Sequence, residues 1–151
     1  MEVKKRMPLA SIGADVIVGF PGESDHDFEE TYSFLKDADL SYLHVFPYSE
    51  RKNTAACSFE YKVESKMKES RSARLLVLSE EKKKIFYQNN IGKRESVIFE
   101  TALDDRWMRG FTSNYIAAQA TLDQTKINAL APVEMKSVSD NGNMEVEIKG
   151  L

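Results

Sequence analysis

A chain of 151 residues, 42% hydrophobic and 30% charged, with a formal net charge of −3, has room for one domain or two small ones. One cysteine, Cys57, and two histidines, His26 and His44, exclude an internal disulfide framework and any thiolate-held zinc or iron–sulfur centre built by this chain alone; they fit a reducing cytoplasm. No apolar run approaches the ~20 residues of a membrane span, and Glu2-Val3-Lys4-Lys5-Arg6-Met7-Pro8 does not read as a signal peptide, since no apolar stretch follows its charges. Cys57 reads as a small semi-buried residue, and the histidines as structural or surface residues that flank nothing ligand-like.

The first predicted element is a strand, Ala14-Asp15-Val16-Ile17-Val18-Gly19, which runs into a Pro21-Gly22 corner and an acidic helix. A strand apolar on both faces belongs inside a parallel sheet covered by helices, and the corner lies at its carboxyl end, where α/β folds hold ligands. Ser24 and Asp27 approximate a capping box. Asp25, Asp27, Glu29 and Glu30 suit the positive end of the helix dipole, so helix stabilisation is favoured over catalysis for this cluster. Phe28, Tyr32 and Leu35 form one stripe at i, i+4, i+7. A second strand, Tyr42–Phe46, ends in Pro47-Tyr48-Ser49; two parallel strands joined by one helix make a right-handed crossover unit. A complete (β/α)₈ barrel needs roughly 200 residues or more, so residues 1–61 supply only its last strands and leave sheet edges open to self-association.

Residues 62–91 form a connecting helix, predicted over 63–88, with Val63, Met67, Leu78 and Ile85 within an arc of about 60°. Arg71 and Arg74 lie in or beside that arc, to pair with carboxylates or to reach a phosphate, and Lys82-Lys83-Lys84 reads as a solvated run near the helix end. This segment has a net charge of +4, against −5 for residues 1–61 and −2 for residues 92–151, so an electrostatic footprint for a polyanion is expected only here. Residues 92–151 break into short strands, Ser96–Thr101, Trp107–Thr112, Tyr115–Ala120, Val133–Val138 and Met144–Ile148. Asp140-Asn141-Gly142-Asn143 joins the last two as a hairpin. Five strands in so short a stretch suggest a small barrel of the OB type.

Gly13-Ala14-Asp15-Val16-Ile17-Val18-Gly19-Phe20-Pro21-Gly22-Glu23, followed by Tyr42-Leu43-His44-Val45-Phe46-Pro47-Tyr48-Ser49-Glu50-Arg51 with Thr54 and Ala55, resembles the radical S-adenosylmethionine methylthiotransferases, most of all the branch acting on threonylcarbamoyladenosine in tRNA. Ile91-Gly92-Lys93 and Gly110-Phe111-Thr112-Ser113-Asn114-Tyr115-Ile116 look like that family's carboxyl-terminal TRAM barrel, which is implicated in RNA binding. The resemblance implies the carboxyl-terminal third or so of such an enzyme: the last strands of a TIM-like barrel, a linking helix and the TRAM domain. The family's CxxxCxxC motif, which holds a [4Fe-4S] cluster, has no counterpart here. Arg51-Lys52 also departs from the family, which tends to have proline at the second position.

By the same resemblance, Ile17, Gly19, Val45, Phe46 and Pro47 would lie against the adenine of S-adenosylmethionine, and a glycine there lets backbone approach a planar base. Tyr48, Ser49, Arg51, Arg106, Arg109, Asn114 and Tyr115 would face the anticodon region of tRNA, through phosphate pairing and base stacking. No catalytic residue and no metal ligand is assigned, and this chain alone is expected to bind neither cluster nor cofactor and to need the amino-terminal part of the enzyme. Two other classes compete. A stand-alone RNA-binding adaptor would make residues 1–60 dispensable, although they carry the clearest motifs. A small α/β enzyme would bind phosphate at Gly19-Phe20-Pro21-Gly22, but the acidic residues that follow repel phosphate and no P-loop or Rossmann pattern occurs.

Overall fold

The computed structural model describes residues 2–150. They form two compact units: one comprises residues 12–83, the other residues up to Ser11 and from Lys84 onward.

In the unit of residues 12–83, β1 (Gly13–Val18) and β2 (Tyr42–Pro47) pair in parallel, with Gly13 opposite Tyr42 and Ile17 opposite Phe46. Between them runs α2 (Asp25–Asp37), after the short α1 (Glu2–Arg6) of the other unit. The capping box expected of Ser24 and Asp27 is formed, the Ser24 hydroxyl accepting from the Asp27 N–H and the Asp27 carboxylate from the Ser24 N–H. The stripe of Phe28, Tyr32 and Leu35 faces a core shared with Val18, Leu43, Leu75 and Leu78. One expectation changes. Alternate residues of β1 (Ala14, Val16, Val18) join that core, while Ile17 on the opposite face is 60% exposed. The strand is therefore covered by helices on one face, not both.

The helix α3 (Ser65–Gln88) buries a face that hydrophobicity alone does not reveal. The predicted arc fails: Met67 and Ile85 are exposed and Val63 precedes the helix, leaving Leu78 as its one buried helical member. The buried positions are Arg71, Leu75, Leu78, Ser79, Lys82, Phe86 and Tyr87, the first six at i, i+3 and i+4 spacings, and Arg71, Ser79 and Lys82 among them are polar or charged. Each of these three has partners. Arg71 donates to Asp25 (2.7 Å) and to the Glu23 carbonyl (3.2 Å). The Ser79 hydroxyl donates to the Leu43 carbonyl and accepts from its N–H, satisfying one residue on the edge of β2. Lys82 donates to the Lys36 and Ala38 carbonyls at 3.0 and 2.7 Å, which completes the carboxyl end of α2. Lys82 is thus an internal cap and no member of a solvated run, and burial pushes its ammonium pKa down.

The second unit carries a closed five-stranded barrel, ordered β3-β4-β5-β7-β6: β3 (Arg94–Ala102), β4 (Trp107–Thr112), β5 (Ala117–Thr121), β6 (Leu130–Val138) and β7 (Met144–Ile148). Closure removes exposed strand edges. The core is filled by Val97, Phe99, Met108, Ile116, Val133, Met135 and Met144, against which Phe86 and Tyr87 pack. The expected hairpin is present, β6 and β7 pairing antiparallel. The third strand starts later than predicted because Tyr115 takes φ 62° and forms a turn instead of a strand residue. Gly110 lies where β4 crosses a bulge in β3; a Cβ there would collide with the Ile98 carbonyl oxygen.

Candidate functional site

Past the carboxyl ends of β1 and β2 the chain makes two turns whose side chains enclose a cleft of about 530 Å³. The first turn leaves β1 at Gly19, which needs φ 74°, a conformation glycine adopts without cost. The Glu23 carboxylate accepts the Gly19 and Phe20 N–H groups and also meets the Arg71 guanidinium at 3.4 Å, so α3 fixes the corner. The second turn leaves β2 at Tyr48, whose N–H donates to the Val18 carbonyl at 2.8 Å. Tyr48 is held edge-on to Phe20 at 5.1 Å, with the Lys68 ammonium 5.4 Å above its ring.

The cleft is lined by Ile17, Phe20, Phe46, Pro47, Tyr48, Ser49, Arg51, Thr54 and Ala56. Six of these are residues that the sequence singled out: Ile17, Phe46 and Pro47 for a cofactor, and Tyr48, Ser49 and Arg51 for RNA. Its floor is apolar, and Ile17 and Phe46 are 60% and 50% exposed. Uncovered apolar surface of this kind marks a binding or interaction site. Arg51 is the one charged residue of the lining. Thr54 and Cys57 both donate to its backbone carbonyl, at 2.8 and 2.9 Å, which fixes the loop that carries it. Two predicted residues stand apart. Val45 points to the core, and Gly19 is buried with its open side filled by the Lys68 stem. Phe20 was missed, although it follows Gly19 directly and the aromatic contact with Tyr48 makes it a wall of the cleft.

On the barrel, Trp107, Arg109 and Phe111 alternate with buried Met108, Gly110 and Thr112 along β4, so they share its outer face. The Arg109 guanidinium lies 5.2 Å from the Phe111 ring, and its buried Nε has no hydrogen-bond partner. Ile98 and Leu130, opposite each other on β3 and β6, extend this face and are 51% and 67% exposed. Arg106 is exposed at the β3–β4 turn, and Tyr115 is 79% exposed. Asn114 is different: it is buried, and its amide donates to the Leu9 carbonyl (2.8 Å) and to Asn90 (3.3 Å) while accepting from Thr112 (2.6 Å). Its side chain is committed within the unit, and its part is to shape the turn that presents Tyr115.

Cys57 is half-buried and free, as expected. His26 and His44 are both exposed. His26, Asp27 and Glu30 have potential ligand atoms within 4.8 Å of one another, a grouping the sequence reading passed over. All three are exposed and Asp27 is spent on the capping box, so this grouping supports no metal site. Among the described residues no helix is long and apolar enough to cross a membrane.

No family model matches the chain. Curated relatives do. The chain is 44% identical over 116 residues to the threonylcarbamoyladenosine tRNA methylthiotransferase of Aquifex aeolicus, a match covering 76% of this chain and 27% of that protein. It is 30% identical over 140 residues to the tRNA-2-methylthio-N(6)-dimethylallyladenosine synthase of Bartonella henselae, covering 93% of this chain and 31% of that protein. It is also 34% identical over 106 residues to the ribosomal protein uS12 methylthiotransferase of Clostridium acetobutylicum, covering 70% and 24%. The chain thus spans about a quarter to a third of the length of these relatives. With identities of 30–44% to three kinds of methylthiotransferase over most of its residues, the chain belongs to the methylthiotransferase family.

Proposed function

We propose that this chain is the carboxyl-terminal portion of a cytoplasmic tRNA methylthiotransferase of the threonylcarbamoyladenosine type, supplying tRNA recognition and one wall of the S-adenosylmethionine pocket. The observation that carries this reading is the cleft beyond β1 and β2, where Ile17, Phe46 and Pro47 meet Tyr48, Ser49 and Arg51. Uncovered apolar side chains at strand ends fit the face of an adenine. When bound, S-adenosylmethionine supplies the radical chemistry of this family; Ile17, Phe46 and Pro47 would hold and orient its ring and exclude water from it.

An iron–sulfur cluster does not fit this chain. Three thiolates are needed at one place, and Cys57 is the only cysteine in the sequence, its thiol engaged with the Arg51 carbonyl. Catalysis therefore requires cysteines from elsewhere, and this chain is incompetent alone. The partial α/β unit would be the last part of a TIM-like barrel completed by that cysteine-bearing portion, and its open sheet edges favour self-association when it is on its own. The finer assignment to the threonylcarbamoyl branch is supported by the 44% identity over 116 residues to one relative of that type, against 40% over 102 residues to a dimethylallyladenosine synthase of Clostridium botulinum.

On the barrel, Arg109, Arg106 and Tyr115 are the proposed tRNA contacts, with Arg51 at the cleft. The test is fluorescence anisotropy with a tRNA anticodon stem-loop at two salt concentrations. Binding is expected to weaken as salt rises, because phosphate contacts release counterions, and Arg51→Ala and Arg109→Ala should each weaken it further. Binding that is absent at both salt concentrations, or indifferent to both substitutions, would refute the reading.

A further inference from the structure

Within the barrel-bearing unit, the segment Met7–Ser11 and the β4–β5 turn enclose a second cleft, of about 450 Å³. Met7, Pro8, Leu9 and Tyr115 form its apolar walls, and Glu95 and Ser113 form its polar edge. Tyr115 has two properties that rarely coincide. It is 79% exposed, so little burial rewards its position, and it sits at φ 62°, where a bulky side chain is strained and glycine is not. The turn is over-determined around it. The Tyr115 N–H donates to the Thr112 carbonyl (3.0 Å) and the Ile116 N–H to the Thr112 hydroxyl (2.9 Å). Asn114 ties the same turn to Leu9. Strain that persists because its surroundings enforce it is a mark of function.

We propose that this cleft is a slot for one unstacked RNA base, with Tyr115 as its preset stacking face; the proposal rests on the tRNA reading above and names where a base enters. The backbone that carries the ring is fixed before binding and the ring leans on Phe111, centroids 6.4 Å apart, so less freedom is lost when a base stacks on it. Glu95, which accepts from Ser113 at 3.0 Å, has a further oxygen to accept an exocyclic amine at the base edge. The chain entering the cleft is basic: Lys5 and Arg6 share the single carboxylate of Glu2 at 3.6 and 3.5 Å, all well exposed. Such surface pairs are weak and leave cations for the flanking phosphates, which is the charge complement a nucleotide needs.

The test uses the whole chain and an anticodon stem-loop carrying an abasic residue at each loop position in turn. One abasic position should weaken wild-type binding about five-fold or more, and Tyr115→Gly should weaken binding of the intact stem-loop by a similar factor while becoming insensitive to that position. Tyr115→Gly should also keep or raise the melting temperature, because glycine relieves the strain. A Tyr115→Gly chain that binds like wild type, while Arg109→Ala still weakens binding, would overturn the base slot and leave the tRNA reading standing. A Tyr115→Gly chain with a lowered melting temperature would assign the tyrosine a structural role and overturn the proposal as well. Absence of wild-type binding would overturn both readings.

Discussion

Arg71 and Arg74 lie one helical turn apart on α3, and both meet carboxylates of the segment that begins α2, yet their removal should have different consequences. Arg71 is 4% exposed and makes two contacts with Glu23, which is itself 15% exposed, and one with Asp25, which is 80% exposed. Its guanidinium also lies 5.4 Å from the Phe28 ring. Breaking a fully buried pair costs about 3–5 kcal/mol. The Asp25 limb is solvent-screened and adds little, and Glu23 keeps the Gly19 and Phe20 N–H groups after the arginine is gone, so its charge is not orphaned. Arg71→Ala should therefore cost about 2–4 kcal/mol. The Arg74–Glu29 pair is about half exposed at both ends, with the guanidinium 4.8 Å from the Phe28 and Tyr32 rings; exposed pairs and ring contacts contribute up to about 1 kcal/mol each, so Arg74→Ala should cost about 1 kcal/mol, less than Arg71→Ala. Urea unfolding followed by far-UV circular dichroism measures both. Trp107, the single tryptophan, reports the barrel separately. Equal effects of the two substitutions, or a larger effect of Arg74→Ala, would refute the argument that burial decides.

Other consequences follow from the same geometry. Gly110→Ala places a Cβ against the Ile98 carbonyl, where only backbone can yield; it should destabilise the barrel by about 3 kcal/mol or more, seen as a lower urea midpoint by Trp107 fluorescence. Ser79→Ala leaves the Leu43 N–H and carbonyl at the edge of β2 without their hydroxyl partner and should cost about 1–3 kcal/mol by the same unfolding assay. On β6 and β7, Lys149 and Lys136 hold the Glu147 carboxyl pKa down from 4.5 to about 2, and Glu134 is lowered by the same two lysines. A depressed carboxyl stabilises the fold above its unfolded value and loses that contribution as pH falls through its folded value. Thermal unfolding of the barrel should therefore become pH-dependent between about 4.5 and 2, and Glu147→Gln should flatten that dependence.

The parts of this chain that were legible in its sequence are those governed by local rules. The Ser24–Asp27 capping box, the stripe of Phe28, Tyr32 and Leu35, and the Asp140–Asn143 hairpin depend on neighbours a few residues away, and they form as their spacing requires. The buried face of α3 was not legible, because Arg71, Ser79 and Lys82 occupy core positions that are tolerable only once Glu23, Leu43, Lys36 and Ala38 arrive from distant segments to satisfy them. Tyr115 misled for a similar reason. Its β-forming side chain reads as strand, but the Thr112 and Asn114 hydrogen bonds impose a turn. The cleft at the strand ends was legible as a location, since α/β sheets place ligands there. Its membership was legible in part, with Phe20 supplied by a contact across two loops that spacing cannot show.

The most direct test of the central claim is mass-spectrometric detection of methylthio groups on a threonylcarbamoyl-modified anticodon stem-loop. This chain would be incubated alone, and then with the part of the Aquifex aeolicus relative that lies outside the match, under reducing anaerobic conditions with S-adenosylmethionine. The account predicts no product from the chain alone, product when the two are combined, and loss of that product when Ile17→Asp places a charge on the floor of the cleft. Product from this chain alone, or product from the mixture that is indifferent to Ile17→Asp, would contradict it.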